Sequence, residues 1–458
     1  MQLSKHVLIC IFLMLAGFDV SKHALVFASG LDQPWGDAIS YWNLGRDIAA
    51  GDIAMLRSEI GYRTLGYPWI VGICQMLGQK NGLLLLVLFQ QATALATNVM
   101  IAYWLTRLTG SPLTGAVGYG LAIFNTSRAV HANWVLTETF TTFLMLTFCF
   151  FIWSQWGAKT LRPIVEASIL AGLAILIRPS SLILFPLLLA FVWYSQGPKL
   201  KAMLLAIAVL TIMLAPCYAR NYYLFGRLQL VTFQGRELWT ATFSPWPGAG
   251  LDIPQDGAGA ELLSRLKDDR ALEIRRNWSV SSSLARRGMR DADVDHLMAT
   301  VAWQAIRREP VRVTVRFLAR TMTYWYCWNW PPDEAPTTHQ AIMRQQTGIP
   351  GVAWSQAIVS RLRWTPEWIP WMTWGLSIAT WVCVIWLVVT KSTRGLGLIL
   401  LYMLSVSTGL TAFLEKPNYR YRMPIEPFIT FALIAGVWIM VRSYGSKKRG
   451  DSELGIVV

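Results

Sequence analysis

Apolar runs of about 17 to 25 residues recur from one end of the chain to the other, and nothing else in it restricts the fold so strongly. Wound as an α-helix rising 1.5 Å per residue, a run of that length covers the roughly 30 Å hydrocarbon core of a bilayer. Hydrocarbon offers the backbone no hydrogen-bond partner, so a helix, which pairs its own N–H and C=O groups, is the form such a run takes there. The runs fall near 7–28, 82–105, 111–126, 135–156, 163–177, 180–195, 202–219, 368–390, 395–413 and 424–442. The expected fold is an all-α polytopic membrane protein with about 10–11 transmembrane helices. The first run continues past Asp19 to Phe27 without a small-residue cleavage site, so it reads as a retained helix rather than a signal peptide. The apolar stretch Leu65–Leu77 is too short to cross and reads as a juxtamembrane or re-entrant helix. Composition agrees: 54% of residues are hydrophobic and 15% charged, against about a quarter charged in soluble domains. Many of the 23 tryptophans, Trp35, Trp69, Trp104, Trp153 and Trp368 among them, stand at the ends of the runs, where amphipathic rings favour the lipid interface.

The net charge of +15 does not point to nucleic acid. Starting inside, the spans bring Arg107, Lys159 with Arg162, Lys199 with Lys201, Lys391 with Arg394, and the tail Lys447-Lys448-Arg449 to the cytoplasmic side. That is the bias by which short basic loops stay in the cytoplasm. The expected location is therefore the inner (plasma) membrane, multi-pass, with the outward loops facing the periplasm. The chain divides into an N-terminal transmembrane module, 1–219, with a first outer loop at 29–81, and a partly helical extracytoplasmic region at 220–367. C-terminal transmembrane helices at 368–446 and a cytoplasmic tail at 447–458 complete it. Within the outer region, 260–276 and Asp291–Arg308 read as helices. Arg312, Arg316 and Arg320, spaced by four, form a stripe on a third helix whose other face is apolar, as in a helix lying at headgroup level. Six cysteines without a CxxC or a Cys/His cluster indicate neither a zinc site nor a disulfide framework.

Acids near the membrane are costly and tend to be functional. Asp37 follows the first run in Trp35-Gly-Asp-Ala-Ile-Ser-Tyr-Trp42, and Glu138 stands just inside the outer end of its helix. About one hundred residues apart, the two are expected to share one membrane face and depth. The other membrane-level acid, Glu166, lies near the cytoplasmic end. Plainer roles compete: helix N-cap for Asp37 and macrodipole partner for Glu138. Outward-facing cations accompany them: Arg63, Arg178 before Pro179, Arg220, and Arg420 with Arg422. Guanidinium groups suit bidentate phosphate binding, although each alone also fits snorkelling to headgroups. As a set with two carboxylates they point to a phosphate-bearing lipid substrate. No cofactor is indicated, and a divalent metal, which the residues leave open, would have Asp37 and Glu138 as acidic ligands and His131 as the nearby imidazole.

The order of motifs resembles the GT-C membrane glycosyltransferases, in the family 39-like branch with protein O-mannosyltransferases and lipid A aminoarabinose transferase. The matching pieces span nearly the whole chain: Gly36-Asp37 with Tyr41, Arg63-Thr-Leu-Gly-Tyr-Pro68, Thr137-Glu138, Ile177-Arg-Pro179, Ala215-Pro-Cys-Tyr-Ala-Arg-Asn-Tyr222 with Phe225-Gly226, and Tyr419-Arg-Tyr-Arg-Met-Pro-Ile-Glu-Pro427. The family's proline after Arg-Thr is Leu65 here, its proline–tryptophan before Arg220 is Pro216-Cys217, and Gln234–Trp239 matches its small-residue loop only loosely. The resemblance implies a GT-C fold, a sugar–phosphate–polyprenol donor, and inverting transfer to an extracytoplasmic glycan, lipid or protein. It makes Asp37 the catalytic carboxylate with Glu138 beside it. Arg63, Arg220, Arg420 and Arg422 are then the donor-phosphate ligands, and Tyr41, Tyr67, Arg178 and Tyr419 the substrate contacts. The absence of a Gly-rich nucleotide loop agrees with a lipid-linked donor. Two other classes fit the composition, a flippase or transporter of lipid-linked sugars and a polymerase or ligase of lipid-linked glycans.

Overall fold

The computed structural model describes residues 5–28, 34, 36–124, 126–244, 248–267, 269, 272, 277–326, 369–414 and 422–449. Every regular element among them is a helix. The N-terminal module comprises α1 (Lys5–Ala28), α2 (Asp37–Ala49), α3 (Gly66–Gln75), α4 (Gln79–Thr109), α5 (Pro112–Phe124), α6 (Thr126–His131), α7 (Glu138–Ser154), α8 (Arg162–Ile177), α9 (Leu184–Tyr194) and α10 (Lys199–Phe225). A second helical unit follows with α11 (Gln234–Phe243), α12 (Gly257–Arg265), α13 (Asn277–Arg286) and α14 (Asp291–Arg308), then α15 (Pro310–Tyr326). The chain ends with α16 (Ile369–Val389), α17 (Arg394–Leu414) and α18 (Glu426–Arg449).

Five stretches are long and apolar enough to cross a membrane: His6–Ala28, Gln79–Thr109, Lys199–Phe225, Lys391–Leu414 and Met423–Tyr444. Four further apolar helices, Pro112–Ile123, Glu138–Ser154, Pro179–Tyr194 and Gly375–Val389, are shorter. By length and composition, five self-sufficient spans thus stand among the described residues, where ten or eleven were expected of the whole chain. The helical and apolar character of the chain stands. Leu65–Leu77 holds only the ten-residue α3, as its length required.

The largest core joins α4, α7, α8, α9, α10, α17 and α18 through Ile101, Phe148, Ile175, Leu188, Leu404 and Phe428, all buried. Two of the interface tryptophans belong to this core: Trp104 stacks on Phe150 and packs against Trp153. Trp35 and Trp368 lie outside the described residues. Short α2 and α3 cross over one end of this bundle at very close range. A Cβ on Gly45 would stand 2.5 Å from a methyl of Val71, and one on Gly72 2.6 Å from a methyl of Ile48. Two glycines are therefore needed for the helices to meet there.

This second unit has a core of its own, in which Leu238, Trp239, Phe243, Leu262, Val280, Leu284, Val294 and Val301 are buried together. Of the helix expected at 260–276, the first part belongs to α12, which ends at Arg265, and residues 268, 270, 271 and 273–276 lie outside the described residues. Leu266 leaves helical geometry (φ −105°, ψ 17°) and turns its side chain into this core. The arginine stripe of α15 also differs from expectation. Its apolar residues Val311, Val315, Leu318 and Met322 are exposed, but Arg320 is buried and donates to the carbonyls of Ala412 and Phe413. Both carbonyls stand in the last described turn of α17, where a helix leaves its C=O groups open to a donor from a neighbour.

Candidate active site

Asp37 opens α2. The turn into the helix runs through Gly36 at φ 55°, a left-handed conformation that costs a glycine little. Asp37 makes no side-chain cap; its carboxylate turns instead to Arg63, whose Nη2 lies 2.9 Å from Oδ1. Ser40 and Tyr41 lie three and four residues on, on the same helix face. Arg63 Nε donates to Ser40 Oγ (3.1 Å) and Nη1 to the Tyr41 hydroxyl (3.1 Å), so one α2 face grips the guanidinium at three points. The charge also sits over the rings of Tyr41 (4.3 Å) and Tyr62 (5.1 Å).

Arg63 belongs to a non-helical segment between α2 and α3, and that segment is clamped from three sides. Asp52 accepts the N–H groups of Leu56 and Arg57 at 2.8 and 2.9 Å. Arg220 donates to the carbonyls of Met55 (3.0 Å), Ser58 (2.9 Å) and Ile60 (2.8 Å), and to Asn221 Oδ1. Met55 stands at φ 54°, rare for a residue with a side chain, and the Arg220 bond holds that carbonyl in position. Asp291 of α14 takes the Gly61 N–H at 3.0 Å and also pairs with Thr232 and Arg236.

Glu138 begins α7, fully buried, and its Oε1 lies 3.0 Å from Arg178 Nη1. Arg178 stands where α8 ends, because a residue before proline is driven out of helical geometry; its φ of −145° and ψ of 117° are extended. The side chain thereby leaves the helix axis and enters the wall of a cavity.

That cavity, of about 560 Å³, is the feature that draws these groups together. Asp37, Tyr41, Arg63 and Arg178 line it. Glu138 lies behind Arg178 and reaches the cavity only through it. One side of the wall is apolar and comes from the bundle, with Met145, Leu182, Ile183, Leu410, Leu414 and Ile425. The other side is polar and aromatic, with Tyr62, Phe233, Gln234, Glu237 and Asp295. Burial pushes the Asp295 carboxyl above its ordinary pKa, with Arg236 opposing the rise.

The remaining expected site residues stand elsewhere. Arg220 does not line the cavity, and its donors go to the backbone carbonyls of the clamped segment. Tyr67 is buried and donates to Gln90 Oε1 at 2.9 Å, behind the Tyr41 ring that it meets edge-on. Arg422 is buried, donating to the carbonyls of Tyr324 and Trp325 and pairing with Glu426 at 2.6 Å, while its neighbours Pro424 and Ile425 reach the cavity. Tyr419 and Arg420 lie outside the described residues. Among the described residues no group of three His, Cys, Asp or Glu side chains is arranged to hold a metal ion.

Sequence reading gave no site role to Glu237, which lies in the loosely matching Gln234–Trp239 segment, or to Asp295, and both reach the cavity from the second helical unit. It also passed over Asp19, an acid inside the first candidate span that pairs with Lys22 at 2.8 Å. The spacing Asp19, Lys22, His23 was the available signal, since residues three and four apart share a helix face. No protein-family model matches the chain, and neither a curated protein nor a solved structure matches it.

Proposed function

We propose that the chain is a membrane glycosyltransferase of GT-C type that moves a sugar from a polyprenyl-phosphate donor to an extracytoplasmic acceptor. The observation that carries this reading is a single cavity with three kinds of wall. An apolar side among the bundle helices suits a lipid chain, two arginines suit its phosphate, and a carboxylate stands beside them. The Asp37–Arg63 and Glu138–Arg178 pairs hold their cations in fixed geometry before any ligand arrives, which is what stabilises charge that develops during a reaction.

In the proposed step a hydroxyl oxygen of the acceptor bonds to the anomeric carbon from the face opposite the phosphate. The bond between that carbon and the phosphate oxygen breaks, and its electron pair leaves on the polyprenyl phosphate. Asp37 orients the hydroxyl and takes its proton. Arg63 and Arg178 meet the charge gathering on the phosphate, and Glu138 keeps Arg178 aimed. Arg220 takes a different part from the one its motif implied: it holds the segment that presents Arg63.

The test is Asp37→Asn in purified protein reconstituted with labelled undecaprenyl-phosphate sugars. Loss of a positioned general base lowers turnover by about 10² to 10⁴-fold. Full turnover in a folded variant removes Asp37 from the role. The same assay separates the flippase reading, because a transporter leaves the bond between sugar and phosphate intact when no second compartment is present.

A further inference from the structure

Two groups of charged side chains reach the cavity, the first of them as ion pairs of Arg63 with Asp37 and Arg178 with Glu138. Arg63 and Arg178 stand together toward the bundle, while Glu237 and Asp295 stand on the side contributed by α11 and α14. The acidic side is built for a different partner. Asp295 is buried to 8% exposure, and its Oδ1 takes the backbone N–H of Arg236 at 3.0 Å. The Gly235 N–H and the Arg236 charge also meet this carboxylate, and Asp295 lines the cavity. Gln234 and Glu237 add further hydrogen-bonding groups one and four residues after Phe233.

Beside these acceptors lies an aromatic platform. Phe233 and Tyr62 line the cavity with ring centroids 6.1 Å apart, and Trp278 backs both, at 5.9 Å from Phe233 and 5.2 Å from Tyr62. The Arg236 guanidinium sits over Tyr62 and Trp278 at 5.6 and 5.7 Å and is committed to Asp291 and Asp295. Its charge is therefore spent within the protein. Arg63 also sits over the Tyr62 ring at 5.1 Å, and the Phe233 ring in the cavity wall beside carboxylate and amide oxygens matches a molecule with C–H groups on one face and hydroxyls around its edge.

We infer that the side of the cavity formed by Tyr62, Phe233, Gln234, Glu237 and Asp295 is a pyranose subsite, taking a neutral sugar ring on the aromatic platform with its hydroxyls donating to Asp295 and Glu237. This rests on the glycosyltransferase reading and adds to it where the sugar sits relative to the phosphate. The ring belongs either to the lipid-linked donor or to a glycan acceptor, and the chemistry of recognition is the same for both.

The experiment uses the full chain in lipid nanodiscs and two probes read separately. Methyl α-glucoside, mannoside and galactoside are followed by saturation-transfer NMR, and undecaprenyl phosphate by its effect on intrinsic fluorescence. The wild type gives transfer to pyranoside C–H protons. Asp295→Asn weakens that binding about tenfold, as loss of a hydrogen bond to a charged group does. Phe233→Ala weakens it by a similar factor of about ten through lost stacking, and both variants keep undecaprenyl phosphate binding, which also certifies their folding. Arg178→Gln gives the converse pattern. Adding glucosyl, mannosyl or galactosyl undecaprenyl phosphate then divides the sources. Displacement of the free pyranoside assigns the subsite to the donor sugar, and its persistence with the loaded lipid bound assigns it to the acceptor. No pyranoside signal in wild type that binds undecaprenyl phosphate overturns the inference alone. Loss of neither probe in any variant overturns it too, and absence of lipid-phosphate binding in the wild type overturns the underlying reading.

Discussion

Asp19–Lys22 and Glu138–Arg178 are both carboxylate–cation pairs enclosed by the bundle, at 2.8 and 3.0 Å, yet their surroundings differ. The first joins residues three apart on α1. Lys22 also donates to the Ile123 carbonyl, Asn98 donates to Asp19, and His23 meets Gln91, which in turn binds Asn133. None of these groups lines the cavity. The second pair joins residues forty apart on α7 and at the end of α8, and its cation faces the void. Equal chemistry thus does different things: a charge enclosed by protein on every side fastens helices, and a charge with one open side is available to a ligand.

The largest effect should come from breaking the enclosed pair. Asp19→Ala leaves Lys22 buried without its carboxylate, which costs about 3–5 kcal/mol of folding stability. Replacing both, as Asp19→Leu with Lys22→Met, should recover most of that loss, because the desolvation of two charges disappears together. Unfolding titrations of the reconstituted protein measure both. A single variant as stable as the wild type would show that α1 is not fastened this way.

Next in size is the pair that faces the cavity. Arg178→Gln should lower turnover by about 10² to 10³-fold, the range for loss of one preorganised donor. It also strands Glu138, so stability falls with it. Glu138→Gln combined with Arg178→Gln should restore stability and leave turnover low, whereas the matching double substitution at Asp19 and Lys22 should restore both. Recovery of turnover in the first double variant would erase the distinction between the pairs.

How much of this was readable beforehand follows from the range of each interaction. The helices were legible because hydrophobic length is a local property, and Arg178 was legible because a following proline fixes its backbone. The spacing of Asp37, Ser40 and Tyr41 marks one helix face, so a cation partner for it was a reasonable expectation. That the partner is Arg63 depends on how α2 and α3 cross at Gly45 and Gly72, which no spacing reveals. Arg220 looked like a ligand-binding cation because the sequence does not display the carbonyls of Met55, Ser58 and Ile60, which lie about 160 residues before it and consume its donors. Asp295 was hidden for the same reason. It reaches the cavity by the packing of α14 on α11, where Gly235 allows the close approach: a Cβ there would fall 1.8 Å from the Asp295 carbonyl oxygen.

A smaller effect tests the clamp on the Arg63 segment. Arg220→Lys keeps the charge and loses the planar fork that serves three carbonyls. Opening of residues 55–60 should become easier by about 1.5–3 kcal/mol, the worth of one such charged hydrogen bond, and faster amide hydrogen exchange there would register it. Turnover should fall with it, since Arg63 would lose its fixed position. Unchanged exchange would mean that Asp52 and Asp291 hold the segment without Arg220.

The smallest effect separates two aspartates on α14. Burial would raise the Asp293 carboxyl, but hydrogen bonds from Arg290 and Arg227 outweigh it, so its pKa lies below the ordinary value. Two residues on, burial dominates at Asp295 and the pKa lies above it. The linkage signs are opposite. Asp293 contributes stability in full above the unfolded pKa of about 3.9, and that contribution is lost as pH falls through the lower folded value. Asp295 carries a penalty that grows as pH rises from about 3.9 through its raised folded value, because the folded state holds the proton longer than the unfolded chain does. Asp293→Asn should therefore destabilise the protein at neutral pH and leave it unchanged in strong acid. Asp295→Asn should flatten the loss of stability on the alkaline side of that interval. Unfolding followed by tryptophan fluorescence across pH 3 to 7 distinguishes them. Identical profiles for the two variants would mean that the cavity-facing carboxylate is no drier than the one at the helix start, and the acidic side of the cavity would lose its distinguishing feature.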